Sequence, residues 1–456
     1  MNIRVPFFLV LVLISTALPV VAKPNFIFIL MDDMGWTDLG CYGSKFYKSP
    51  NIDKLAAQGM KFTDAYAACP VCSPTRASIL TGNYPARLNL TDFIPGRAVM
   101  SDQKLLRPEF NKQLPLDETT LAEALKKAGY ISGAFGKWHL GKEGFEADKQ
   151  GFDVAPTHDA SSGSLNSNEP GKGSFQITEQ ALQFIEANRA KPFFAYVAFN
   201  APHIPLAAPK KIIEKYEQQI DPTLSHTNAA YAAMIEVADA QIGRLLAKLE
   251  ELKLTENTMV IFTSDNGGLH VREWKREVKA TQNTPLRAGK GYLYEGGIRV
   301  PLIVRWPGVV KAGSICREPL ASVDYFPTIL EIVGAPGSVE QIIDGKSIFS
   351  LLKEKTPAPL RELFWHYPHY PNQGGAPGGA IREGDFKLIE FYEDGHWELY
   401  NVREDISEKN NLATTMPQKA AQLATKLDVW RRNVGAQMML PNPEWVSSKL
   451  RVIPAE

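Results

Sequence analysis

The 456-residue chain has little cysteine: four residues, Cys41, Cys69, Cys72 and Cys316. So few cannot make a disulfide framework. Zinc is disfavoured as well, because a tetrahedral site draws on two close ligand pairs. Cys41 and Cys316 stand far apart, and no H-x-x-x-H segment partners the C-x-x-C of Cys69 and Cys72. That pair opens "CPVCSPTRASILTG" and lacks the small βαβ frame of a thioredoxin-type dithiol. A structural Cys69 to Cys72 bridge and a role for Cys72 alone both stay open. Excess charge of one sign is also missing. Lysine plus arginine number 50 and aspartate plus glutamate 50, so nothing in the charge balance suggests a polyanion-binding surface of the nucleic-acid kind and no nucleic-acid partner is expected. Long apolar runs are confined to "MNIRVPFFLVLVLISTALPVVAKPN". Here Arg4 precedes an apolar run over 5–18, Pro19 closes it, and Val20 and Ala22 suit signal-peptidase cleavage after Ala22. The run falls short of the roughly twenty apolar residues of a membrane span. Residues 1–22 are therefore expected to be a cleaved signal peptide. The mature protein is expected to be exported to a periplasmic or extracellular location, with no stable membrane span.

Apolar runs rich in valine, isoleucine and phenylalanine alternate with amphipathic stretches, the pattern of an α/β fold around a buried sheet. Strands are expected at 25–30, 130–135, 193–199, 259–264 and 301–307. Helices are expected in "SPNIDKLAAQG", "DETTLAEALKKAG", "TEQALQFIEANRA" and "TNAAYAAMIEVADAQIGRLLAKLEELK". Thr178, Asp117 and Thr227 are the expected N-caps, and Gly59 and Gly129 the expected terminating glycines. After about residue 345 the pattern changes. A glycine- and proline-rich segment, 366–379, leads into "AIREGDFKLIEFYEDGHWELYN", two hairpins turning at 383–385 and 393–395, and then a helix, "QKAAQLATKLDVWRRN". The expected division is a main α/β domain over 23–345 and a C-terminal subdomain over 346–456.

Ligands of open α/β sheets collect beyond the carboxyl ends of the strands. Four of the expected strands are followed there by reactive residues: Asp32 and Asp33, Lys137 and His139, His203, and Asp265 and Asn266. Singly, each fits a turn or a cap; together they make a site. Three carboxylates and an amide offer only oxygen ligands, which suit a hard cation such as calcium or magnesium. The lysine, histidines and an arginine around it would suit an anionic tetrahedral group. In "CSPTRASILTG", Pro74 fits a first helical turn and Gly82 an end, so Cys72 is placed at a helix N-terminus with Arg76 one turn on.

With these residues in view, "CSPTRASILTG" resembles the C-x-P-x-R signature of the type I sulfatases, whose cysteine is oxidised to Cα-formylglycine. "GYISGAFGKWHLG" is similar to the second signature of that family, and "ILMDDMGWTDLGCYG", "FTSDNGG", "GKGYLYEGGIRVPLIVRWPG" and "VDYFPTIL" extend the likeness over about 24–400. The resemblance implies an alkaline phosphatase-like fold, a large mixed sheet flanked by helices with a smaller C-terminal antiparallel sheet and helix. It implies that Asp32, Asp33, Asp265 and Asn266 hold one calcium ion (Ca2+) with modified Cys72. Arg76 and Lys137 would position the formylglycine hydrate, His139 would help expel sulfate, and Lys290 and His203 would contact it, with Thr157 or His158 as a looser further contact. A formylglycine-generating or sulfatase-maturating enzyme is the implied partner in biosynthesis. The expected reaction is sulfate ester hydrolysis on a sulfated saccharide, a galactose or N-acetylgalactosamine sulfate. The sugar would be read by the loops carrying His270, Arg272, His366 and His369. The competing readings are a phosphodiesterase or phosphonate monoester hydrolase of the same superfamily, and a sulfated-glycan binding protein in which Cys72 is never converted. The full acid and base set argues against the latter.

Overall fold

A computed structural model describes residues 23–98, 103–156, 171–271, 279–335, 340–354 and 361–445. The expected signal peptide, Thr157, His158 and Arg272 lie outside these residues. The fold is organised by β1 (Asn25–Met31), every residue of which is buried. Phe26, Phe28 and Leu30 enter one apolar cluster and Ile27, Ile29 and Met31 the opposite one. A strand covered on both faces has no polar side to show, which is why its sequence is a continuous apolar run and not an alternation.

Around β1 stand β2 (Met60–Phe62), β3 (Ile131–Gly136), β4 (Phe193–Ala198), β5 (Thr258–Ser264), β6 (Leu302–Arg305) and β7 (Ser314–Cys316). Their order is β3-β4-β1-β5-β6-β2-β7, and every pairing is parallel except those of β6, which runs against both its neighbours. One face carries α2 (Cys72–Thr81), α3 (Leu121–Lys127) and α7 (Tyr325–Ile332). The other carries α1 (Pro50–Gln58), α4 (Ser174–Ala187), α5 (Lys210–Glu217) and α6 (Ala229–Glu251). Parallel strands aligned in this way bring the chain ends after β1, β3, β4 and β5 to one rim of the sheet. No helix among the described residues is long and apolar enough to cross a membrane.

Several expected caps are displaced. Thr120, not Asp117, caps α3, because its hydroxyl and Glu123 complete a reciprocal capping box. Asn228, not Thr227, caps α6 by accepting from the Tyr231 amide at 3.1 Å. Thr178 lies inside α4, its hydroxyl donating to the Ser174 carbonyl at 2.8 Å. Gly129 takes the left-handed conformation at φ +81°, whereas Gly59 is extended. What Gly59 supplies is space: a Cβ there would stand 2.4 Å from the Val304 carbonyl oxygen.

The C-terminal sheet runs β8 (Glu362–Tyr367), β9 (Gly378–Glu383), β10 (Phe386–Phe391) and β11 (Trp397–Asn401), all antiparallel, with α8 (Pro417–Asn433) packed on it. The two hairpins lie where the sequence puts them. The strand β8 is an addition, since its "ELFWHY" becomes a strand only by pairing along β9. This sheet docks on the segment that leads into α2: Tyr66, Ala68 and Val71 share an apolar cluster with Trp365, Ile381 and Leu388, and Trp365 Nε1 donates to the Ala67 carbonyl at 2.8 Å. Beside that contact lies a buried ionic network. Lys387 Nζ meets Glu295 Oε1 at 3.0 Å and Glu408 Oε1 at 2.9 Å, and Arg299 meets both Glu295 and Asp64 at 3.0 Å.

Removing one member of a buried ionic cluster leaves the others charged in a medium that cannot solvate them. Lys387→Met should therefore destabilise the protein by about 3 to 5 kcal/mol, read as a lower denaturant midpoint in equilibrium unfolding. A midpoint within error of the parent would show that the two glutamates are protonated and the lysine dispensable.

Candidate active site

Cys72 is the first residue of α2, entered from an extended Val71, and every residue of this ten-residue helix is buried. Gly82 ends the helix in the left-handed conformation at φ +75°, its amide returning to the Ser78 carbonyl at 2.9 Å. Arg76, one turn beyond Cys72, is wholly buried. Its Nε and Nη2 donate to Asp265 Oδ2 at 2.9 and 2.7 Å, and its Nη1 donates to the Lys137 carbonyl at 2.8 Å. One guanidinium thereby ties α2 to the ends of β3 and β5. The Cys72 thiol faces Asp32 Oδ1 at 3.6 Å.

The strand ends complete the cluster. Asp33 is left-handed, φ 63°, a conformation aspartate tolerates, and its amide is held by Asp265 Oδ1 at 3.1 Å and its carbonyl by Tyr231 Oη at 3.1 Å. Lys137 Nζ pairs with Asp32 Oδ2 at 2.7 Å and Lys290 Nζ with Asp33 Oδ2 at 2.8 Å. Asn266 Nδ2 donates to Asp33 Oδ1 at 2.8 Å, which leaves Asn266 Oδ1 buried and without a partner among the described residues. His203 Nε2 stands 3.6 Å from Asp33 Oδ2, while its Nδ1 bonds the Ile204 carbonyl at 2.5 Å. His139, also left-handed at φ 58°, bonds the Ile94 carbonyl through Nε2 at 2.7 Å, and the Ile94 amide in turn donates to Ser73 Oγ at 3.1 Å.

Asp32, Asp33, Cys72, Arg76, Lys137, His203, Asp265, Asn266 and Lys290 thus stand within a single web of direct contacts, with His139 attached through Ile94 and Ser73. Asp32, Asp33, Cys72 and His203 each offer a ligand atom, all within 4.8 Å of one another. The orphaned Asn266 oxygen and the carboxylates around it fit a hard cation bound by oxygen.

Residues 24–335 match the Sulfatase family, and residues 288–433 match N-sulphoglucosamine sulphohydrolase, C-terminal. The chain belongs to the sulfatase family. It is 35% identical to a sulfatase of Formosa agariphila, over 89% of this chain and 87% of that one, and 32% identical to human arylsulfatase A, over 84% and 78%. The solved structure of Ps i-CgsB in complex with k-i-k-neocarrahexaose matches with a TM-score of 0.75 at 27% identity, covering 93% of this chain and 94% of that one. The mixed sheet with its small antiparallel partner is therefore the alkaline phosphatase-like fold of the sulfatases, and the protein is an enzyme of sulfate ester hydrolysis.

In this sulfatase three buried carboxylates oppose three buried cations. Burial alone would raise Asp32, but Lys137, His203, Arg76 and Lys290 outweigh it and hold the carboxyl well below its ordinary range. Burial and then Lys290 and His203 act likewise on Asp33, with a net lowering. Burial pushes the Cys72 thiol up to about 12 despite Lys137 and Lys290, so it is a protonated thiol near neutrality. Burial also depresses both histidines, His203 to about 3 with Lys290 adding to the effect, and His139 well below its usual value with Lys137 adding. A neutral His139 whose Nε2–H donates to the Ile94 carbonyl keeps Nδ1 as an acceptor, and that atom has no partner among the described residues.

The loops expected to read the sugar fare differently. His369 is fully buried on Thr91 Oγ1 at 2.8 Å, and His366 is buried between Tyr392 Oη at 2.7 Å and the Gln437 carbonyl at 2.9 Å, so both rings are structural. His270 stands on the Lys290 side of the site, edge-on to Tyr292 at 5.3 Å. Two contributors were not singled out in the sequence. Tyr231 bridges the Asp33 carbonyl and Asp38, and Lys172 donates to the His203 and Ile204 carbonyls. Neither lies in a segment with a chemical signature.

The state of Cys72 gives a direct test. Where it remains a thiol, native protein at neutral pH should resist iodoacetamide at position 72, since on the order of one molecule in 10⁵ is ionised, and should be labelled there only after unfolding. Rapid native labelling, read by peptide mass spectrometry, would show an activated cysteine and overturn the inert-thiol reading.

Proposed function

We propose that this sulfatase hydrolyses sulfate esters of a sulfated carbohydrate, a galactose or N-acetylgalactosamine sulfate, using Cys72 converted to formylglycine and one calcium ion. The observation that carries the reading is the setting of Cys72: a buried, inert thiol at the head of α2, within 3.6 Å of Asp32 and ringed by Arg76, Lys137 and Lys290. Such a thiol is useless as it stands and well placed once replaced by a hydrated aldehyde. Asp32, Asp33, Asp265 and Asn266 would hold the calcium with residue 72. When bound, the ion balances the carboxylates and favours ionisation of an adjacent hydroxyl. The hydrate supplies two hydroxyls, one to attack sulfur and one whose deprotonation expels sulfate, leaving the aldehyde ready for water.

The chain's own residues set up these events. Arg76 and Lys137 fix the helix end and the charge beside it, so the nucleophile is oriented before substrate arrives. Lys290 and His203 stand on the Asp33 side, where they would meet the sulfate oxygens and the departing alcohol. His203 donates through Nδ1 to Ile204, which leaves Nε2 facing the leaving oxygen; Nε2 carries a proton to pass on only in the imidazolium form, which the negative charge of a bound sulfate ester would favour over the neutral ring of the empty site. His139 is kept neutral by its surroundings, and its unpartnered Nδ1 is the base that takes the proton from the second hydroxyl. Support for a saccharide comes from similarity: 33% identity with canine N-acetylgalactosamine-6-sulfatase, and the carrahexaose named for the Ps i-CgsB complex. Export through residues 1–22 and conversion of Cys72 by a maturating enzyme belong to the same proposal.

The metal assignment is tested with Asp265→Ala. Elemental analysis should find calcium in the parent and not in the variant, together with loss of sulfate ester hydrolysis; equal calcium in both would remove Asp265 from the ligand set. Proton roles separate by substrate. His203→Ala should slow a sugar sulfate far more than an aryl sulfate, whose phenolate leaves without help, whereas equal losses would deny it the acid role. His139→Ala should give a burst of one phenol per enzyme and then a steady rate lower by on the order of 10² to 10⁴. A slow first turnover would place His139 in the earlier step.

A further inference from the structure

Lys172 is buried, and no carboxylate among the described residues pairs with it. A buried ammonium without a carboxylate needs other acceptors of good geometry. Lys172 has two. Nζ donates to the His203 carbonyl at 2.8 Å and to the Ile204 carbonyl at 3.0 Å, the oxygens of the two successive peptide groups that follow the imidazole-bearing residue. The Ile204 oxygen also accepts from His203 Nδ1 at 2.5 Å, so the lysine and the ring share one acceptor. The contact is reciprocated: Asn200 Nδ2 reaches the Lys172 carbonyl at 3.4 Å, and the Gly171 amide donates to the Ala207 carbonyl at 3.0 Å. Lys172 itself is left-handed, φ 49°, a conformation a lysine keeps only when its surroundings impose it.

From this geometry we infer that Lys172 is a positioning residue for His203, clamping the two peptide groups that follow it so that Nε2 stays aimed at the leaving oxygen. The inference rests on the proposed role of His203 in sulfate ester hydrolysis. Two consequences follow from a residue that acts through another. The ammonium anchors the Ile204 oxygen, which keeps the Nδ1–H bond and hence the ring orientation in which Nε2 faces the leaving oxygen. Its loss is also felt only where His203 matters, which is on esters whose alcohol needs a proton in order to leave.

The experiment compares a sugar sulfate with an aryl sulfate in the parent, Lys172→Met, His203→Ala and the double variant. Lys172→Met should lower kcat/KM for the sugar sulfate at least about tenfold more than for the aryl sulfate. In the His203→Ala background it should add less than about twofold. A general loosening of the fold would instead lower both substrates in proportion, and that result overturns the inference, as would losses that multiply in the double variant. Should Lys172→Met fail to fold, Lys172→Gln and Lys172→Arg carry the same two measurements, with the same overturning results. A parent enzyme that cleaves neither ester refutes the proposed activity; a parent that cleaves both, with uniform losses in the Lys172 variants, refutes only the positioning role.

Discussion

The constraint on which the rest of this structure depends is the burial of three carboxylates, Asp32, Asp33 and Asp265, at one rim of a sheet. Charges of one sign so close together are untenable in an apolar interior unless compensated. Arg76 on Asp265, Lys137 on Asp32 and Lys290 on Asp33 supply the compensation from three separate elements. Each pairing is also a tether. The helix carrying Cys72, the strand end carrying Lys137 and the loop carrying Lys290 are drawn onto the same rim by the electrostatics that a metal-binding sulfate site would exploit.

The C-terminal sheet takes part in that arrangement without contributing to the carboxylate cluster. Its inner face covers the chain from Tyr66 to Val71, and Trp365 bonds the Ala67 carbonyl, so the approach to Cys72 is fixed from below. The network of Lys387, Glu295 and Glu408 sits at the same junction. Glu295 follows Lys290 by five residues, so the loop bearing the cation on Asp33 is anchored at its far end in the C-terminal sheet.

The sequence determined much of this directly. The continuous apolar runs of β1, β4 and β5 could be covered only on both faces, and the polar residues just beyond them had to gather where parallel strands end. The "CSPTRASILTG" and "GKWHLG" stretches marked Cys72, Arg76, Lys137 and His139, because short contiguous segments place their own residues. The hairpins of β9, β10 and β11 were legible from turn residues for the same local reason.

Tertiary structure alone decided what depends on distant partners. The strand β8 exists because β9 lies beside it, the cap of α3 moved to Thr120 because Glu123 completes the box, and His366 and His369 became interior when Tyr392 and Thr91 closed on them. Lys172 carries no local signal, since a lysine between glycines reads as an exposed loop, and only the approach of the His203 loop turns it into a buried clamp. Sequence determines which groups can do chemistry by their kind and their local spacing. Which of them meet, and at what distance, is set by packing between segments a hundred or more residues apart, such as Lys137 against Asp32 and Lys290 against Asp33.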